Sequence, residues 1–123
     1  MYNIHCNCSK GRSELNFNEI LELRVAILDM KTKTVVDGFH THVRPTIDNK
    51  IAQFITDCTG ITNDICFDPN VPTFEDAIAM LHNYLDRFGM FGHEFVFMSQ
   101  GDFEGNQIQR EAEFKNFALP SYL

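Results

Sequence analysis

Glu19-Ile20-Leu21-Glu22-Leu23-Arg24-Val25-Ala26-Ile27-Leu28-Asp29 is the stretch on which the fold turns. Leu21, Leu23, Val25 and Ile27 recur at every second position, the spacing that sends one set of side chains to one face of a strand. Met30-Lys31-Thr32-Lys33 is a polar connection. Thr34–Arg44 then carries a second alternation through Val35, Phe39, Thr41 and Val43. It ends before Pro45, because the residue preceding a proline is held extended and proline has no N–H for a ladder. Two strands this close in sequence predict an antiparallel hairpin.

Upstream, Met1–Cys8 reads as a short strand, separated from the hairpin by the polar stretch Ser9–Asn18 with a turn at Gly11. Downstream, Asp48 is placed to cap a helix running through Lys50, Phe54 and Ile55 to about Cys58, and Gly60 stops it. Thr62–Ile65 reads as one more helical turn capped by Thr62. Thr73-Phe74-Glu75-Asp76 resembles a capping box. It opens the clearest helix of the chain, with Ala77, Ile78, Leu81, Tyr84, Leu85 and Phe88 at helical spacing and Gly89 at its end. Glu94–Ser99 reads as a buried strand, and Asp102 is placed to cap a last helix reaching about Asn116. The order β-β-β-α-α-β-α over a single domain, residues 1–123, is consistent with an α/β, ribonuclease-H-like mixed sheet.

The net charge is −7, from 10 Lys plus Arg against 17 Asp plus Glu. Most nucleic-acid affinity comes from neutralising phosphates, so this field opposes a polyanion and implies weak RNA binding. Lys31, Lys33 and Arg44 are the candidates for a local basic patch. No apolar leader opens the chain, and no run approaches the ~20 apolar residues of a membrane span. The expectation is an intracellular protein, cytoplasmic or nuclear, with no membrane partner and with its 4 cysteines reduced. His5-Cys6-x-Cys8 invites a zinc reading, but a structural zinc takes about four ligands. No second tight pair sits at finger spacing, and His40-x-His42 is the nearest candidate. Free cysteines are the favoured reading, with His40, His42, His82 and His93 expected to face solvent.

Several strings resemble the DEDDh-type 3′–5′ exonucleases, in particular the branch that trims histone messenger RNA ends and small interfering RNAs. Glu19-Ile20-Leu21-Glu22 is similar to that family's E-I-I-E strand signature. Val43-Arg44-Pro45 is similar to its V-R-P. Phe54 and Thr59-Gly60-Ile61-Thr62 resemble its F-C-x-x-L-T-G-I-T segment. Phe97 to Glu104 resembles its fourth strand and the turn that follows, and Ala118-Leu119-Pro120 its L-x-x-P. The resemblance implies two metal ions, Mg²⁺ or Mn²⁺, held by carboxylates around the scissile phosphate, and a histidine base.

At the family's spacing the first motif, Asp-x-Glu, falls on His5-Cys6-Asn7. An imidazole and an amide remove both carboxylates. Phe103-Glu104 stands where the family has an aromatic residue and Asp, so Glu104 keeps a carboxylate on a longer arm. Asp102 beside it is either a weak metal ligand or simply a helix cap. No His-x4-Asp follows the last helix. The resemblance implies that Phe54, Gly60, Ile61 and Thr62 line a terminal-nucleotide pocket; the alternative is that Phe54 and Ile61 pack a helix on the sheet.

The chain therefore reads as a catalytically degenerate exonuclease-like domain lacking the family's last strand and helix. No cofactor is expected unless it is active. The competing reading is a working exoribonuclease that uses unusual ligands or a partner's residues. An open strand edge at 94–99 would be covered by a second copy, a protein partner or the tail Phe117–Leu123.

Overall fold

The computed structural model describes residues 2–6, 19–47, 49–99 and 103–123, and for 2–6 and 103–104 the description is of the backbone alone. Among these residues the sheet has three antiparallel strands in the order β1-β2-β3. They are β1 (Tyr2–Cys6), β2 (Ile20–Asp29) and β3 (Thr34–His42). The hairpin expected from the alternation is present. Glu22 pairs with His42, and the ladder runs to Asp29 against Thr34, closing through a turn in which Lys33 has φ 57°.

The β2–β3 ladder shifts register between Ile27 and Leu28, and a second irregularity, in the β1–β2 ladder, sets the architecture. His5 pairs with Glu22 but Cys6 pairs with Ile20, so Leu21 is an extra residue on β2, a β-bulge. A bulge reverses the alternation. Ile20 joins Leu23 and Val25 in the main core, while Leu21 points into a separate one. The expected stripe Leu21-Leu23-Val25-Ile27 is thus broken at its first member, because even spacing keeps residues on one face only along an unbroken pleat.

The main core packs Ile20, Leu23, Val25 and Val43 against α3 (Phe74–Phe88) and α4 (Phe103–Phe114). Helix α3 forms because Phe74, Ala77, Ile78, Leu81 and Leu85 make one buried stripe, and Gly89 ends it at φ 86°. Thr73 is its N-cap, yet its side chain makes no capping hydrogen bond, so the expected capping box does not form. The second core gathers Leu21, Ile51, Ile55, Ile61 and Cys66 between the sheet, α1 (Gln53–Thr59) and α2 (Asn63–Cys66). Asp48, the expected cap of α1, lies outside the described residues; the N-cap is Ala52.

The segment Glu94–Ser99 differs from expectation. It is not a strand of the described sheet. Together with Met90 and Phe88 it borders a groove of about 860 Å³ beside the second half of β2. Its two aromatic side chains find a partner in the C-terminal tail: Tyr122 stacks on Phe97 (5.7 Å, 14°) and lies 5.9 Å from Phe95, and its hydroxyl meets His82 Nδ1 at 2.8 Å. The tail, one of the three covers expected for this segment, thus meets its two aromatic rings. No helix among the described residues is long and apolar enough to cross a membrane.

Candidate functional site

The face of the sheet opposite α3 and α4 carries the chemistry. Downstream of the bulge, Glu22 and Arg24 of β2 fall on the face that Leu21 also takes, and their β3 partners His42 and His40 fall with them. Glu22 is buried although charged. The Arg24 guanidinium pairs directly with its Oε1. His40 Nε2 lies 3.3 Å from the same oxygen and His42 Nδ1 lies 4.0 Å from Oε2. The imidazoles meet edge to face with centroids 5.0 Å apart. His40 and His42 therefore do more than face solvent. Burial holds the His42 pKa below its usual value, with the Glu22 charge opposing that shift and His40 and Arg24 adding to it. Its Nδ1 is buried with no hydrogen-bond partner among the described residues.

His5, expected at the first-motif position, is the register partner of Glu22 on β1. Asn7 and Asp102 lie outside the described residues, and Glu104 stands in the first turn of α4.

The Phe54–Thr62 segment is built by local rules. Gly60 ends α1 in the left-handed region at φ 76° and donates its N–H to Thr56 O. Thr56 Oγ1 donates to Ile61 O at 2.7 Å, and Thr62 Oγ1 caps α2 by accepting from Ile65 N at 3.3 Å. Asn63 Oδ1 accepts from Ile51 N at 2.7 Å, tying α2 to the approach of α1. Ile61 is 2% exposed and belongs to the second core, whereas Phe54 is 45% exposed. Cys66 is a free thiol in the same core, its pKa pushed up to about 11 by burial and by the Glu22 charge; Cys58 is free and exposed.

Lys31 and Lys33 sit at the hairpin turn, and Arg44 lies beyond the other end of the 9-residue β3. At ~3.3 Å per residue the strand holds them roughly 30 Å apart, so they make no single basic patch. Arg44 is also committed locally, its Nε donating to Val71 O at 3.3 Å.

The family model described as Exonuclease, of the RNase T type, matches residues 14–117. This chain belongs to the DEDDh-type exonuclease family. It is similar to the 3′–5′ exonuclease eri1 of Schizosaccharomyces pombe, 29% identical over 82 residues, which cover 67% of this chain and 27% of that protein. It is also similar to human 3′–5′ exoribonuclease 1, 35% identical over 57 residues, 46% of this chain and 16% of that protein. The chain thus spans well under half the length of these relatives. Its fold is that of the nuclease domain of 3′hExo, a DEDDh family member bound to rAMP: TM-score 0.87, 20% identity, 98% of this chain and 60% of that one.

DEDDh exonucleases normally use divalent metals. Magnesium asks for a near-octahedral set of oxygens. Among the described residues, the cluster of His, Cys, Asp and Glu side chains close enough to share an ion is Glu22 with His40 and His42. One carboxylate and two imidazoles do not fit a pair of magnesium ions. The cluster was hidden in the sequence because it needs the β2–β3 register; His40-x-His42 was its one visible sign.

Proposed function

We propose that this chain is a catalytically degenerate member of the exonuclease family that acts as a non-catalytic binding or protein-interaction module. The reading rests on the sequence resemblance that puts His5 and Asn7 where the family carries its first carboxylate pair. A two-metal mechanism needs hard oxygen ligands to neutralise the ions and the scissile phosphate between them. Glu104, aligned with the second motif, offers a single carboxylate to that task. The Phe54–Thr62 segment, whose family counterpart meets the terminal nucleotide, is the surface proposed to retain ligand contact. The net charge of −7 supports weak rather than tight RNA binding.

The second reading is an active 3′–5′ exoribonuclease using Mg²⁺ or Mn²⁺. It is favoured by the family match over residues 14–117 and by relatives named as exonucleases and exoribonucleases. Incubation with end-labelled single-stranded RNA and either metal separates the two. The expected result is intact RNA. Stepwise shortening from the 3′ end that disappears in Glu104→Ala would establish the second reading.

A further inference from the structure

Glu22, His40 and His42 form a chemical grouping that the exonuclease reading leaves unused. Their nearest donor atoms all lie within 4.8 Å of one another. We propose that these three side chains bind one transition-metal dication of the zinc class. Bonds of ~2.0–2.2 Å from zinc to histidine nitrogen and carboxylate oxygen put tetrahedral ligand atoms roughly 3.3 Å apart. His40 Nε2 is already 3.3 Å from Glu22 Oε1, and His42 Nδ1, 4.0 Å from Oε2, has to draw closer on binding.

The donor set selects the ion. Imidazole with carboxylate suits zinc and its neighbours in the first transition row, whereas magnesium prefers oxygen alone. The backbone supplies the geometry. His-x-His on a strand places both rings on one face, and Glu22 stands directly opposite His42 and diagonal to His40. The Glu22 carboxylate is buried and needs a counter-charge, which Arg24 supplies. The Arg24 side chain is 61% exposed, so it can turn to water as an ion takes its place. His42 Nδ1 is the buried nitrogen with no hydrogen-bond partner among the described residues, the atom that gains most from a cation. Three protein ligands leave a coordination position open, and His5 occupies the strand position across from Glu22 on the other side.

The test is a cobalt titration of the whole chain, read by the visible absorption of the bound ion, with zinc as competitor. One equivalent should bind at about micromolar affinity or tighter and be displaced by zinc. Millimolar magnesium should displace none. Loss of an outer-sphere partner costs a metal site about 10–100-fold, so His40→Ala and His42→Ala should each weaken binding at least that much. His93→Ala and Cys58→Ser should leave it unchanged. His40 is half-exposed, so His40→Ala is the decisive variant, with circular dichroism as its folding check. Absence of stoichiometric cobalt binding, or full binding in folded His40→Ala, overturns the proposal.

Discussion

Lys115 Nζ, at the end of α4, lies 3.1 Å from Glu19 Oε2 at the entrance to β2, and both groups are buried. The same carboxylate accepts from Thr46 N at 2.8 Å and Ile47 N at 2.9 Å. One side chain thus ties the last described helix, the central strand and the segment after β3 together. Removing Glu19 leaves Lys115 with only Glu111 at 3.9 Å and takes the acceptor from Thr46 N and Ile47 N, and breaking a buried pair this way costs roughly 3–5 kcal/mol. Glu19→Ala is expected to lose about that much in denaturant unfolding. Combining it with Lys115→Met should cost less than the sum of the single changes, because the orphaned charge goes too.

A second buried carboxylate beside this pair should make stability fall as pH rises. Glu111 is fully buried, and burial pushes its pKa up to about 8 from an ordinary 4.5. Lys115 and the hydrogen bond from Ile20 N (2.9 Å) oppose that shift, and Glu19 and Glu75 add to it. A raised pKa means that the native chain holds a proton the unfolded chain has released. The contribution is complete below about pH 4.5, declines above it and is gone once the pH passes about 8. Each unit of separation is worth ~1.4 kcal/mol, so the total is on the order of a few kcal/mol. Glu111→Gln keeps an acceptor for Ile20 N and removes the titration. Unfolding curves of the two proteins from pH 5 to 9 should diverge, with wild type losing more. Parallel curves would rule out this role for Glu111.

What the sequence could reveal depended on whether the physics was local. The β2–β3 hairpin, the stop at Gly60, the Thr62 cap and the stripe of α3 rest on neighbouring residues, and all are present. The bulge at Leu21 was not legible, because nothing in its own side chain marks a slip of pairing against Cys6. Glu94–Ser99 has strand-like composition, but among the described residues its aromatic side chains are met by Tyr122 rather than its backbone joining the sheet. The burial of Glu19 and Glu111 was not legible, since their partners come from distant parts of the chain.

Tyr122 is expected to protect the chain from self-association. It stacks on Phe97 and also meets Phe95 and Phe91, while Val96 in the same segment is 78% exposed. Tyr122→Ala removes those ring contacts, worth about 0.5–1.5 kcal/mol each beyond area burial. It also uncovers a contiguous apolar patch. Sedimentation should show a shift towards dimers or larger species at tens of micromolar, with a modest fall in stability. A wild type that already sediments as a dimer would instead favour a second copy on this surface.

Phe54 and Ile61 should separate ligand contact from packing. Both belong to the segment proposed to meet a terminal nucleotide, yet Ile61 is sealed in the second core while Phe54 is exposed on α1. Ile61→Ala should therefore cost about 2–5 kcal/mol of stability through the cavity it leaves. Phe54→Ala should cost under about 1 kcal/mol, as for most surface changes. A base stacked on an aromatic ring is worth ~1–3 kcal/mol, so Phe54→Ala should weaken single-stranded RNA binding roughly 5- to 150-fold if this surface carries the contact. Fluorescence anisotropy with labelled single-stranded RNA reads the difference. Equal RNA affinity in wild type and Phe54→Ala would remove this segment from the proposed ligand surface and leave it a packing element alone.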